Sequence, residues 1–158
     1  MRPFNYGTLL AVSKSIFSML PPDFQILPMT SGDYDDVLAL WNACEGVRAS
    51  ETREELARIL ARNAELSSVI RRGPQLAAAV LCCHDGRRGY LYHVGVAAEF
   101  RKLGLGRLLV ERSLSKLKEA GISRCSIFVI AGNEVGEAFW KRIGWRERND
   151  LKMFARDL

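Results

Sequence analysis

The run FRKLGLGRLL, Phe100 to Leu109, sets Arg101, Gly104 and Gly106 directly at the start of an apolar helical stripe. Before it, YLYHVGV from Tyr90 to Val96 reads as a β-strand through its aromatic and β-branched residues. Strand, short glycine-bearing turn and helix start together constrain the chain tightly. In such a turn successive backbone N–H groups converge on one point, and the helix adds the positive end of its dipole. Anionic groups, phosphate above all, are what that geometry holds. A Cβ at the glycines would either forbid the turn's dihedrals or keep a ligand off the backbone. With nothing bound, the same run is a tight strand-to-helix connection.

Two familiar phosphate loops are excluded. A dinucleotide fingerprint needs a third small residue where this chain has Leu109, and a P-loop needs Gly-Lys-Ser/Thr, which the chain lacks. The run does match R-x-x-G-x-G, with Arg101, Gly104 and Gly106 in the fixed places. Further on, CSIFVIAGN (Cys125 to Asn133) reads as a strand ending in a turn, and EVGEAFWKRIGW (Glu134 to Trp145) as a short helix closed by Gly144. The first motif resembles the pyrophosphate loop of the GNAT family of N-acetyltransferases. The second stretch resembles the other half of that family's cofactor site, with Asn133, Phe139-Trp140 and Gly144-Trp145 at the matching positions. The resemblance runs from residue 24 to residue 158.

What the resemblance implies is specific. The fold expected is α/β: a central mixed, mostly antiparallel twisted sheet of about six to seven strands flanked by about four helices, splayed at a central parallel pair. The domain is expected over 23–158, with acetyl-CoA as cosubstrate and no metal. Backbone amides of Lys102, Leu103, Gly104, Leu105, Gly106 and Arg107 would face the pyrophosphate, with Arg101 and Lys102 adding charge. Leu103 departs from the polar or basic residue common there and leaves the backbone cradle intact. The edge of Val94, Gly95 and Val96 would pair with the pantetheine arm like an added strand. With nothing bound, Gly95 would simply mark a bulge. Asn133 is expected near the thioester, and also as a helix N-cap, a role its side chain suits independently.

The bulk properties fit one ordinary domain. The chain has 158 residues, 48% hydrophobic and 26% charged. No apolar run approaches the roughly 18 residues needed to span a bilayer, so no membrane partner is expected. The net charge of +5 suits a polyanionic cofactor. The basic residues lack aromatic interleaving, so nucleic acid is not the expected partner. Cys44, Cys82, Cys83 and Cys125 show no zinc-ligand spacing and read as free thiols in a reducing cytoplasm, with Cys82 and Cys83 on opposite strand faces.

Residues 1–22 read as an extension. Leu9, Val12, Ile16 and Leu20 give an amphipathic pattern that Pro21-Pro22 ends. The segment would dock on the domain, serve a homodimer through its apolar face, be disordered, or derive from an upstream start codon. Phe24 to Thr30 reads as the first strand, and Asp33 as the N-cap of a helix through Val37, Leu38, Leu40 and Trp41. A second helix follows Ser50 or Thr52, with Leu56, Ile59 and Leu60 on its apolar face. In the resembled family these helices and the loop 42–50 cover the acyl-acceptor site. LSSVIRRG and QLAAAVLCCHDG read as strands around Gly73-Pro74, and HDGRRG as a second hairpin turn. The helix from Leu105 to Ala120 carries its stripe at Leu105, Leu108, Leu109 and Leu117. LKMFARDL is expected to close the sheet as a last strand.

Acyl transfer requires a neutral amine. A lysine-like amine lies about three log units from neutrality at pH 7, an energetic cost of about 4–5 kcal/mol, so a base or water chain must take the proton. The resembled family often places an acidic tyrosine where this chain has Trp140, and some members a glutamate where it has Phe128. An indole N–H donates hydrogen bonds but transfers no proton. The substitute candidates are Tyr90, Tyr92 and His93 on the strand before the loop and Glu45 in the covering loop. His93 has a suitable intrinsic pKa, although a histidine on an apolar strand also serves as a hydrogen-bonded core residue. Strand alternation would put Tyr92 and His93 on opposite faces. Three readings follow: an acetyl-CoA-dependent N-acyltransferase acting on a small-molecule or peptide amine, a coenzyme A-binding domain with little or no catalysis, or, against the expectation on partners, a basic α/β domain that binds nucleic acid.

Overall fold

A computed structural model describes residues 20–157; residues 1–19, which hold nearly all of the expected extension, and residue 158 lie outside the described residues. The chain divides into two compact units, Met1–Phe128 and Val129–Leu158.

The first unit is a five-stranded sheet with helices against it. Its strands are β1 (Phe24–Pro28), β2 (Ser68–Arg72), β3 (Gln75–His84), β4 (Gly89–Val96) and β5 (Cys125–Ile127), in that spatial order. The pairings are antiparallel except β4 with β5, which is parallel. The helices are α1 (Tyr34–Ala43), α2 (Arg53–Arg62) and α3 (Leu105–Glu119). In the second unit α4 spans Glu134–Arg142. The mixed α/β architecture is the one expected, with five strands among the described residues in place of six to seven.

Local chemistry explains most boundaries. Thr52 and Glu55 form a reciprocal capping box: the Glu55 amide donates to Thr52 Oγ1 at 3.2 Å, and the Thr52 amide to Glu55 Oε2 at 2.7 Å. Asp33 occupies the N-cap of α1, but its carboxylate turns the other way. It accepts from the amide and hydroxyl of Thr30 at 2.8 and 2.9 Å and from Arg71 at 2.7 Å, tying the start of α1 to β2. At the far end of α3, Gly121 adopts φ +79°. Its amide reaches Lys118 O, and the amide of Ile122 reaches Leu117 O, closing the helix as a Schellman motif. Gly144 does the same for α4 at φ +90°, with Trp145 bonded back to Trp140.

The predicted stripe of α3 is the buried one: Leu105, Leu108, Leu109 and Leu117 all lie in the core with Val110. On the other side of the sheet α1 and α2 bury Val37, Leu40, Trp41 and Leu56 in one cluster with Met29, Cys44, Val69, Ala79 and Leu81.

Two strand expectations are corrected. β5 ends at Ile127 instead of running to Asn133. Its last partner pair is Leu91 with Ile127, and just beyond it β4 carries a bulge that turns its edge away. The terminal segment LKMFARDL forms no strand over 151–157. Leu151, Met153 and Phe154 stand exposed, Phe154 at 90%, so β-propensity finds no ladder to join.

Candidate active site

The centre of β4 departs from regular pairing. Gly95 lies opposite Ala79 and Tyr92 opposite Leu81, so His93 and Val94 together face Val80 alone. His93 absorbs the extra residue at φ +48°, a backbone conformation uncommon outside glycine, though histidine adopts it more readily than most side chains do. The bulge therefore sits at His93–Val94, not at Gly95. It also cancels the expected alternation. The Tyr92 and His93 rings are 6.3 Å apart, Tyr92 packs on the α1–α2 cluster, and the His93 imidazole lies 4.9 Å from the Trp41 ring of that same cluster. Both side chains face α1.

A carboxylate meets His93 there. His93 Nε2 lies 2.8 Å from Glu51 Oε1, and the two side chains are 12% and 22% exposed. The Glu51 carboxylate also accepts from the Ser50 amide at 3.1 Å, and its own carbonyl accepts from Tyr34 Oη at 3.1 Å. The hydrogen bond from His93 holds the Glu51 carboxyl below its ordinary range, against the opposing effect of burial. Sequence reasoning missed Glu51 and favoured Glu45, which is exposed to solvent. No local signal marks a pairing between a loop and a strand 42 residues apart.

Around this pair the environment is largely buried and aromatic. Trp41 is 2% exposed, and its Nε1 is buried without a hydrogen-bond partner among the described residues. Burial raises the Tyr92 hydroxyl above its ordinary pKa, so it stays protonated at neutral pH. Burial also raises the Cys83 thiol to about 11, with the negative charge of Glu51 adding to the effect. Tyr90 stacks between Tyr92 and Phe128, with 6.3 Å between centroids on either side.

On the β5 side, β4 pairs only through Leu91, which leaves Tyr92 to Val96 with β3 as their one strand neighbour among the described residues. Gly95 is buried because α1 crowds it: a Cβ there would stand 3.0 Å from Trp41 Cδ1 and 3.2 Å from Cys44 Sγ. Val96 O accepts from Cys44 Sγ at 3.6 Å and from Arg101 Nε at 3.4 Å.

From Val96 a single 3₁₀ turn, Ala98–Phe100, leads into the glycine loop. Lys102 takes φ +65° and Gly104 φ +80°, and α3 begins at Leu105 without a side-chain cap. Among the described residues no amide from Lys102 to Arg107 donates to another group of the chain. The first to do so is Leu108, to Gly104 O at 3.1 Å. Arg101, Lys102, Leu103, Gly104 and Arg107 are exposed, while Leu105 and Gly106 are buried as the helix enters the core. A Cβ on Gly104 would meet no protein atom within 4 Å. The glycine is thus required by its dihedrals and leaves open space above the amides. Such N–H groups at a helix start, flanked by cations, could hold an anion.

The family model described as the acetyltransferase (GNAT) family matches residues 34–145. The chain belongs to this family. Among solved structures, a GNAT-like fold recurs in an acetyltransferase from Streptococcus agalactiae, at 13% identity and TM-score 0.70, covering 87% of this chain and 93% of that one. An aminoglycoside 6′-N-acetyltransferase from Acinetobacter haemolyticus matches at 17% identity and TM-score 0.66, over 85% and 99%. N-acetylglutamate synthase from Neisseria gonorrhoeae, solved with coenzyme A and N-acetyl-glutamate, matches at 21% and TM-score 0.64, over 78% of this chain and 28% of that one. At these identities the neighbours establish the GNAT fold.

In the second unit Asn133 caps α4, its Oδ1 accepting from the Gly136 amide at 2.9 Å, so the expected N-cap role is the observed one. Trp140 is buried edge-on between Phe139 and Trp145, at 5.0 and 4.8 Å between centroids.

Proposed function

We propose that the protein is an acetyl-CoA-dependent N-acyltransferase that moves an acetyl group to a primary amine by direct attack on the thioester. The observation that carries this reading is the set of amides from Lys102 to Arg107, at the start of α3, that have no hydrogen-bond partner among the described residues. Those amides, with Arg101 and Lys102, would hold the diphosphate, and the edge of Val94, Gly95 and Val96 would align the pantetheine arm. Cofactor contacts by Asn133 and Trp140 are proposed from the family resemblance alone. Bound acetyl-CoA supplies the activated acyl group. The chain's own task is to orient the amine, exclude water and take its proton. His93, in the bulge immediately before the proposed pantetheine edge, is the base for that task, and Tyr92 beside it is a neutral hydroxyl donor. The neighbours named for aminoglycosides and for N-acetyl-glutamate support an amine acceptor in general and select none for this chain.

Calorimetry with coenzyme A tests the first half of the reading. Thiol release from acetyl-CoA across a panel of primary amines tests the second. Binding with acceptor-dependent release is the expected result. Absence of heat with coenzyme A overturns the reading, and binding without release on any amine reduces the protein to a coenzyme A-binding domain.

A further inference from the structure

We propose that Glu51 is a positioning residue: it accepts the Nε2 proton of His93 and thereby fixes the neutral imidazole as the tautomer whose Nδ1 lone pair is free to take a proton. The proposal rests on the acyl-transfer reading above for its chemistry, but on the geometry of the pair for its substance.

Several independent features converge on it. A carboxylate is acceptor-only when ionised, so the 2.8 Å contact at neutral pH requires the hydrogen to sit on Nε2. Neutral imidazole carries one N–H, which leaves Nδ1 as the acceptor. Among the described residues Nδ1 has no hydrogen-bond partner. Glu51 is itself held at both ends, by the Ser50 amide on its other carboxylate oxygen and by the Tyr34 hydroxyl on its carbonyl. The Trp41 ring lies 4.9 Å from the imidazole and restricts its rotation. The strand adopts φ +48° at His93 to bring the ring there, and strained dihedrals at non-glycine residues cluster at functional positions. A histidine serving only as core filler would need neither the bulge nor the carboxylate.

The titratable groups around His93 are few. From the covering loop comes Glu51, and from β4 itself Tyr92. From β3 comes Cys83, close enough to Glu51 to feel its charge, and from the end of α1 comes Cys44, packed in the same cluster. Tyr92 and Cys83 stay neutral near pH 7, and among the described residues Glu51 is the one carboxylate bonded to His93.

In the transfer step the amine nitrogen forms its bond to the acyl carbon as the carbon–sulfur bond breaks. One amine proton passes to His93 Nδ1, and the imidazolium, stabilised by Glu51, returns it to the departing thiolate. The products are an amide and a free thiol, and His93 regains its starting tautomer.

The 158-residue chain contains two histidines, so side-chain nitrogen NMR reads the tautomer directly. With uniform nitrogen-15 labelling at pH 8, and a His84→Gln variant to assign the signals, the proposal expects wild-type His93 protonated on Nε2. In Glu51→Ala that preference is lost and a mixture appears. A wild-type His93 protonated on Nδ1, or a tautomer unmoved by Glu51→Ala, overturns the proposal whether or not any amine is acetylated. Failure of the acyl-transfer reading is detected separately, as absence of coenzyme A binding by the wild type. With an amine that turns over, Glu51→Ala should lower kcat on the order of tenfold to a hundredfold at unchanged KM for acetyl-CoA, Glu51→Gln, which keeps an acceptor oxygen, should recover part of it, and His93→Gln should lose about a hundredfold or more. Equal kcat in Glu51→Ala and wild type overturns the positioning role.

Discussion

Gly95 and Trp41 are fitted to one another: the Cβ that Gly95 lacks would stand 3.0 Å from Trp41 Cδ1. Trp41 is 2% exposed and has nowhere to retreat. Through this contact α1 is seated on β4 beside His93, and the shape of the bulged segment depends on a side chain that is missing.

Gly95→Val is therefore expected to destabilise the fold by about 1–3 kcal/mol through overpacking, with Gly95→Ala smaller in the same direction. Chemical denaturation midpoints check this. Unchanged midpoints in both variants would show that α1 can shift freely.

At the loop the expectation separates folding from binding. Gly104 has φ +80° and open space where its Cβ would lie. Gly104→Val should cost about 1–2 kcal/mol of stability from backbone conformation alone. Gly104→Asn, which tolerates that conformation, should melt close to wild type. Both should lose coenzyme A affinity in calorimetry, because the obstruction falls on the ligand side of the loop. Retention of affinity by Gly104→Asn would place the diphosphate elsewhere.

A third expectation concerns the small glycine under α3. A Cβ on Gly89 would stand 2.6 Å from Leu117 Cδ1, and Leu117 is 1% exposed. Gly89→Ala should destabilise by about 1–3 kcal/mol. In a Leu117→Val background the same change should cost less, with a coupling of about 0.5–3 kcal/mol in a double-mutant cycle.

Asp33 should contribute to acid sensitivity. Burial pushes its carboxyl up, but hydrogen bonds from Arg71 and Thr30 outweigh that and hold it below the ordinary 3.8. A depressed folded value means that the stability contribution is present above the unfolded value and is lost as pH falls through the folded one. Wild type should thus lose more of its Tm than Asp33→Asn does between pH 5 and pH 2.5, roughly the range in which carboxylates titrate. Parallel curves would remove Asp33 from the acid transition.

Much of this was readable from local chemistry. The helix of Leu105 to Glu119 declares itself by leucine spacing and by glycines on both sides, and Thr52 and Glu55 announce a helix start. What escaped reading was tertiary. Nothing near His93 signals a positive φ, since histidine is an ordinary strand residue until the register with β3 slips. The alternation rule then fails for Tyr92 and His93 together. Glu51 was hidden because its partner is brought to it by the fold, and the terminal LKMFARDL misled because strand propensity without a neighbouring edge forms nothing.

Helix α3 has its hydrophobic side sealed and its carboxyl end tied off by Gly121, yet its opening turn has no side-chain cap among the described residues. Any anion that settles there adds its binding free energy to the folded form. The melting temperature should consequently climb with the concentration of any ligand that docks at that mouth, logarithmically once the site is filled.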